Sequence, residues 1–178
     1  MSPLTGSSAR FAVVLTLLGV MAVLAASPQA NADARSFADG TTSSSTMDIH
    51  RVRVINEQRL TIRVVVDDLR RRAGQGSASA WIDTNPSRSG PEFHIGSGLW
   101  ESDWYIGRTS GWRFPSRGPL NCAVDQRLLF DRDTIVWTTG RGCLGTYAKV
   151  RVSVTTRGGG ETDYSPARHV SHPWVRRF

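Results

Sequence analysis

The stretch WIDTNPSRSGPEFHI, from Trp81 to Ile95, places three oxygen-bearing side chains between two apolar runs. Asp83, Asn85 and Glu92 could supply carboxylate and amide oxygens from one loop. Calcium takes roughly six to eight oxygens from such side chains and from backbone carbonyls. The alternative is ordinary turn chemistry, because Asp-Thr-Asn-Pro and Ser-Gly-Pro form loops without any ligand. The stretch predicts a strand-loop-strand corner, with a calcium site formed by Asp83, Asn85 and Glu92 as the competing interpretation.

A second group of candidates lies in the aromatic-rich segment LWESDWYIGRTSGWRF, from Leu99 to Phe114. Aromatic faces exposed on a sheet could stack on sugar rings, while arginines hydrogen-bond sugar hydroxyls. The same rings could instead fill the core or the rim of the fold, and arginines stacked on tryptophan would be a purely structural use. The candidate ligand-binding residues are Trp100, Trp104, Tyr105, Arg108, Trp112 and Arg113.

Motifs of known catalytic chemistry are missing from the sequence. Ser97 and Ser110 lie beside glycines but lack the G-x-S-x-G spacing of a nucleophile elbow, and no P-loop, dinucleotide fingerprint, HExxH or EF-hand loop occurs. His169-x-x-His172 precedes Pro173 and has no helical pattern around it, which argues against a metal pair. A Ser-His-Asp set can assemble from distant positions, but the histidines are poorly placed for one. We therefore expect no enzymatic activity and, apart from calcium, no cofactor. A pocket that held His94 beside Asp83 or Glu92 would point to an enzyme instead.

Apolar residues recur with a period of two, which is typical of strands with one buried face. The pattern covers Val52 and Val54, then Leu60 to Val66, then Val150 to Val154. Further strands are predicted at 77–83, 92–99, 103–109, 124–130 and 134–139. No segment after the N-terminal run has a helical stripe, and Gly, Pro and Ser punctuate the chain about every ten residues. These features predict an all-β, two-sheet antiparallel β-sandwich of jelly-roll type.

The N-terminus has the composition of a secretory signal peptide. A single charge, Arg10, precedes the apolar run from Phe11 to Ala26, and Ala30-Asn31-Ala32 offers a cleavage site before Asp33. We expect a signal-peptide helix within residues 1–32, a flexible leader over 33–46 because DARSFADGTTSSST has little to bury, and one β-sandwich domain over 47–178. The mature protein is expected to be secreted, with no membrane span after cleavage.

The two cysteines, Cys122 and Cys143, both lie in the expected mature chain. Export would deliver them to an oxidising compartment, where a pair normally closes. On the predicted strand map, Cys122 precedes the strand toward Phe130 and Cys143 follows the strand over 134–139. The disulfide would therefore join the open end of one β-hairpin.

The formal net charge is +7, and Lys149 is the single lysine among 22 basic residues. Arg51, Arg53 and Arg63 alternate with apolar residues and should point away from the core. A basic surface favours anionic partners, whereas a general bias toward arginine would only solvate the surface. We expect no specific binding of nucleic acid, and we expect a monomer.

Four segments in this order resemble a known group of proteins: DIHRVRVINEQRLTIRVVVDDL, AWIDTNPSRSGPEFHI, DWYIGRTSGW and TIVWTTGRGCLGTYAKVRVSV. The chain resembles secreted actinobacterial proteins of unknown function over residues 47–156. More distantly it is similar to the β-sandwiches of carbohydrate-binding module family 9 and the DOMON-like group. The parts that carry this distant resemblance are 83–85 (DTN), 90–93 (GPEF) and 141–145 (RGCLG).

The resemblance implies a two-sheet sandwich. The ligands of that group include sugars, haem and calcium, so the fold alone does not choose among them. Met47 is the only methionine after the expected cleavage, so the chain offers no persuasive Met/His pair, which argues against haem. We therefore expect a non-catalytic extracellular binding domain for a polysaccharide or another polymer of the cell envelope. The alternative is a structural or protein-interaction module in which the tail from Arg168 to Phe178 docks a partner or closes the sandwich.

Overall fold

Two antiparallel β-sheets pack face to face and enclose the hydrophobic core. The computed structural model describes residues 34–41, 45–72, 74–100 and 102–177. Almost all regular structure in these ranges is strand, so the predicted all-β sandwich is confirmed. The expected signal-peptide helix over 1–32 lies outside the described residues. Within the described ranges, no helix has the length and apolar character that a membrane crossing requires.

The strands, in chain order, are β1 (Ala34–Ala38), β2 (Ile49–Asn56), β3 (Arg59–Val66), β4 (Gly76–Asp83), β5 (Phe93–Gly98), β6 (Trp104–Arg108), β7 (Val124–Leu129), β8 (Thr134–Gly140), β9 (Lys149–Gly158), β10 (Glu161–Ser165) and β11 (Val175–Arg176). A 3₁₀ turn at Phe130–Arg132 joins β7 to β8, and a four-residue helix, α1 (Arg141–Leu144), follows β8. The first sheet has the order β1-β2-β3-β8-β7. The second has the order β10-β9-β4-β5-β6, with β11 paired to β9.

The period-two pattern determines which side chains meet between the sheets. Val52, Val54 and Ile62 of the first sheet are buried, as are Ile82 and Val152 of the second. Their neighbours Arg51, Arg53 and Arg63 are exposed, as predicted. Because directly opposed residues in antiparallel strands share a face, the register places the apolar core residues of each sheet on its inner side. The outer side of the second sheet is mixed, with hydroxyl side chains such as Ser79 and Thr155 beside the aromatic Trp81.

The predicted disulfide between Cys122 and Cys143 is present, with 5.6 Å between the Cα atoms. Cys122 lies two residues before β7, and Cys143 lies in α1 directly after β8. β7 and β8 pair over their whole lengths, beginning with Val124 opposite Thr139. The bond therefore joins the open end of this hairpin, as predicted.

The expected flexible leader over 33–46 is wrong for residues 34–38, which form β1 and pair with β2 from Ala34–Ile55 to Ala38–Arg51. Phe37 packs against the core, and its ring stacks on His172 at a centroid distance of 4.4 Å. The sandwich therefore begins before residue 47. An edge strand such as β1 needs one packed side chain and backbone hydrogen bonds to its neighbour, so its sequence carries no apolar alternation.

The C-terminal tail closes the sandwich. β10 pairs with β9, and β11 then pairs with the beginning of β9 through Val175 opposite Val150. Val175 is fully buried, and its carbonyl oxygen accepts a hydrogen bond from Asn56 Nδ2 at 3.0 Å. The cations of Lys149 and Arg151 lie 4.9 and 4.6 Å from the Trp174 ring centroid. The tail is thus part of the fold.

Candidate functional site

The end of β4 and the loop that follows it to β5 carry the three predicted metal ligands, and Asp83 is the most deeply buried of them. Its side chain has no exposed surface. Arg151 Nε and Nη2 both donate to Asp83 Oδ2 at 2.7 Å, while Oδ1 accepts the backbone N–H of Asn85 at 3.1 Å. Both oxygens of this carboxylate therefore have protein partners.

The other two candidate ligands, Asn85 and Glu92, also bond to the loop itself. Asn85 Oδ1 accepts the backbone N–H of Ser87 at 3.0 Å, and Glu92 Oε2 accepts the backbone N–H of Thr84 at 2.8 Å. The Asn85 bond is that of an Asx turn, and the Glu92 carboxylate joins the end of the loop back to its beginning. Across the described residues, no three His, Cys, Asp or Glu side chains are grouped so that they could hold a metal ion. The geometry favours the turn interpretation.

The six candidate ligand-binding residues do not converge on one face. Trp100 packs edge-on against Phe130, and Trp104, although 44% exposed, donates from Nε1 to the carbonyl of Val124 on the opposite sheet. The Tyr105 ring covers Gly96 so closely that a Cβ at Gly96 would lie 2.8 Å from it. Arg108 stacks over the Phe93 ring, and Arg113 is exposed in the loop after β6. Trp112 is the member of this set that lines the groove described next.

A groove of about 330 Å³ lies on the outer face of the second sheet. Its floor is formed by short hydroxyl side chains that project outward from two neighbouring strands. Ser77 and Ser79 come from β4, and Ser153 and Thr155 come from β9. The register pairs Ser79 directly with Thr155. Short side chains on adjacent central strands leave a depression in which larger neighbours form the walls.

One wall of the groove is aromatic. It consists of Trp81 from β4 and of Trp112 and Phe114 from the loop after β6. The Trp81 ring centroid lies 5.9 Å from that of Trp112 and 5.4 Å from that of Phe114, and both pairs are tilted. Phe114 is 71% exposed although large apolar side chains are usually buried. Because Trp81 is only 7% exposed, the aromatic surface that the wall offers to a ligand comes mainly from Trp112 and Phe114.

The opposite wall and the rim are polar and cationic. Tyr164 and Thr162 of β10 form the wall together with Arg157 of β9, and Arg168 and His169 belong to the following loop. The His169 ring stacks on Trp112 at 5.4 Å, which connects the rim to the aromatic wall. None of the described lining residues is acidic. The groove thus combines hydroxyl groups, aromatic faces and positive charge.

His94 lies behind the aromatic wall and has no carboxylate partner. It is buried among Trp81, Tyr105 and Phe114, with ring centroids 4.3 to 5.8 Å away, and neither ring nitrogen has a hydrogen-bond partner among the described residues. Burial lowers its pKa to about 4, so the ring is neutral at pH 7. The arrangement that would have pointed to an enzyme, His94 beside Asp83 or Glu92, is not formed.

A second buried histidine, His172, is hydrogen-bonded to Ser165, with 3.1 Å between Nε2 and Oγ. Ser165 is completely buried and His172 is 4% exposed, so this pair does not face a groove. Burial lowers the pKa of His172 to about 4 as well. The pair joins β10 to the tail and packs under Phe37. The Ser165–His172 pair is therefore part of the core.

Most of the groove was not predicted from the sequence. The outward serines and threonines in SASAWID and VSVTT carry a signal, because small hydroxyl residues alternate there with apolar ones on two strands that become neighbours. The aromatic wall gives a weaker signal, since Trp81 comes from β4 and Phe114 from a loop about thirty residues later. Arg157, Arg168 and His169 are brought together only by the β9–β10 hairpin.

No protein-family model, curated protein or solved structure matches this chain. The resemblance to carbohydrate-binding module family 9 and the DOMON-like group therefore stays a prediction from short motifs.

Proposed function

We propose that this protein is an extracellular, non-catalytic binding domain whose groove on the second sheet holds a polysaccharide chain. The observation that carries the proposal is the aromatic wall of Trp81, Trp112 and Phe114 beside a floor of Ser and Thr hydroxyls. Aromatic rings stack on the apolar faces of sugar rings, and hydroxyl side chains exchange hydrogen bonds with sugar hydroxyls. A few polar groups beside apolar surface are typical of ligand sites.

The charge of the groove favours an acidic polysaccharide over a neutral one. Arg157 and Arg168 line it without an acidic neighbour in the described lining. Arginine pairs with carboxylates in a bidentate geometry, so it can recognise a uronic acid residue of the chain. The disulfide between Cys122 and Cys143 supports an oxidising compartment, which agrees with the expected signal peptide.

Titration of the oxidised domain with soluble polysaccharides, followed by tryptophan fluorescence, tests the proposal. The panel is xylan, arabinogalactan, chitin oligosaccharides and polygalacturonate. Trp112→Ala should weaken binding at least about tenfold, because loss of one stacked ring costs on the order of 1–3 kcal/mol. Trp104→Ala is the matched control, since Trp104 is exposed but lies outside the groove. Equal loss in both variants, or no binding by the wild type, contradicts the proposal.

The alternative is an extracellular protein-interaction module. The exposed Phe114 ring favours it, because exposed aromatic side chains are enriched where proteins bind each other. The tail, by contrast, gives this alternative no support, since Val175 is buried against β9. A protein that binds through Phe114 while no polysaccharide binds would establish this alternative.

A further inference from the structure

The outer face of the first sheet carries a row of arginines that the groove does not use. Arg53 of β2 lies directly opposite Arg63 of β3. Arg63 is opposite Val136 of β8, which is in turn opposite Arg127 of β7. Arg51 lies two positions from Arg53 on β2, and all four arginines are exposed. We name these four residues the arginine face.

The arginine face has a cost for folding. Like charges directly opposite each other in antiparallel strands are destabilising, and none of the ion pairs between described residues includes any of the four arginines. Asp125 is on the same side of the sheet, but its carboxylate pairs with Arg59 at 2.6 Å. The strands β2 and β3 themselves contain no acidic residue, whereas a face that served only solubility would mix the two signs of charge. The arrangement therefore suits an anionic partner.

The pairing of Arg53 with Arg63 favours a tetrahedral anion over a carboxylate. Neighbouring strands are about 4.8 Å apart, so two guanidinium groups can converge on one group. One bidentate arginine occupies both oxygens of a planar carboxylate, whereas a phosphate group offers oxygens in several directions. By strand spacing, Arg127 lies about 10 Å from Arg63, and Arg51 about 7 Å from Arg53. The face can thus contact successive charges of one polymer.

The absence of aromatic side chains on this face argues against single-stranded nucleic acid. Single-strand binders stack bases on aromatic rings. No Phe, Tyr or Trp occupies an outward position in the described strands β2, β3, β7 and β8, because Trp137 of β8 points into the core. The uncharged outward neighbours of the arginines include Thr61, Thr138 and Val136.

We propose that the arginine face binds a linear polyol-phosphate polymer by contacts to its phosphate groups. This second site is on the opposite sheet from the groove and takes a different ligand. Arg53 and Arg63 hold one phosphate between them, and Arg51 and Arg127 contact neighbouring phosphates. A protein with both sites could hold two polymers of the cell envelope together.

Isothermal titration of the oxidised domain with poly(glycerol phosphate) tests this proposal. The double variant Arg53→Gln/Arg63→Gln should weaken binding at least about tenfold at about 50 mM salt. The plot of log K against log salt should also become less steep, by the amount expected for the loss of roughly two phosphate contacts. Arg72→Gln with Arg88→Gln removes the same charge from two exposed loop positions and is the matched control. Trp112→Ala should bind as the wild type does. The Arg53/Arg63 variant should stay folded, because it relieves like-charge repulsion.

Several results would overturn the proposal. One is no binding by the wild type, and another is equal loss in the two double-arginine variants. Loss in Trp112→Ala alone would place the polymer in the groove. If oligo(dT) binds through Arg53 and Arg63 as tightly as poly(glycerol phosphate) does, the face is a nucleic-acid site. If polygalacturonate binds through them as tightly, the face has no preference for phosphate.

Discussion

Arg151 donates two hydrogen bonds to one buried oxygen of Asp83, at 2.7 Å from both Nε and Nη2. This pair lies at the end of β4, where the sheet passes into the loop that also carries Asn85 and Glu92. A carboxylate with this degree of burial needs partners, because an unpaired buried charge is expensive. The arginine and the loop amide supply them, so the loop is held closed by the protein itself.

Removal of the Asp83 carboxylate should therefore destabilise the fold whether or not calcium is present. Asp83→Ala is expected to lower the free energy of unfolding by about 2–3 kcal/mol, less than for a fully buried pair because the Arg151 side chain is 32% exposed. Thermal melts of wild type and variant with EDTA and with calcium check this. A wild-type melting temperature that rises with calcium, and does so only when Asp83 is present, would restore the metal interpretation.

Burial of His94 should make stability depend on pH. Its pKa is about 4 in the folded state, whereas the unfolded chain takes up the proton near pH 6.5. The unfolded state therefore binds more protons between these values, and the free energy of unfolding falls as the pH drops from about 6.5 to about 4. The burial of His94 alone should lower the free energy of unfolding by up to about 3 kcal/mol over this pH range.

Urea unfolding of wild type and His94→Phe across this pH range measures that contribution. The variant should gain stability relative to the wild type as the pH falls, while His172 keeps the same dependence in both proteins. If the difference in the free energy of unfolding between the two proteins does not change with pH, His94 is not desolvated as described.

Phe37 should contribute to stability, because β1 belongs to the sandwich. Phe37→Ala removes a half-buried ring that stacks on His172, and we expect a loss of about 1–2 kcal/mol, below the range for a fully buried phenylalanine. Ser36→Ala, on the exposed side of the same strand, should change stability by less than about 0.5 kcal/mol. Equal stabilities of Phe37→Ala and wild type would mean that residues 34–38 do not pack on the domain.

The disulfide should stabilise the fold without shaping the groove. It closes a loop with a sequence separation of 21, for which chain entropy gives about 3 kcal/mol. Replacement of both Cys122 and Cys143 by Ala should lower the free energy of unfolding by about this amount, as measured by urea titration. Polysaccharide affinity should not change, because α1 and β7 do not line the groove. Loss of affinity in a still-folded variant would contradict this separation.

The sequence predicted the parts of the fold in which burial repeats every second residue. β2 and β3 show this directly, since Val52, Val54, Leu60 and Ile62 face the core, and the hairpin between β7 and β8 followed from the same reasoning. β1, β10 and β11 were not predicted because backbone pairing at a sheet edge leaves little pattern in the side chains.

The site was predicted less well than the fold. Trp112 was a candidate, but Trp104 and Tyr105, which are close to it in sequence, have other structural contacts. Aromatic residues pack equally well in a core, at a rim or on a ligand, so their presence alone does not say which use they have. The groove depends on the pairing of β4 with β9, which brings together residues about 75 positions apart.

The proposed function requires that the aromatic wall of Trp81, Trp112 and Phe114 contacts a sugar chain. Its most direct test is an NMR titration of the ¹⁵N-labelled domain with polygalacturonate oligosaccharides, observing the tryptophan indole N–H signals. We predict that the signals of Trp81 and Trp112 shift progressively, while those of Trp104 and the buried Trp137 stay in place. Unchanged signals for Trp81 and Trp112 at saturating oligosaccharide, or shifts confined to Trp104, would contradict the assignment of the groove as the binding site.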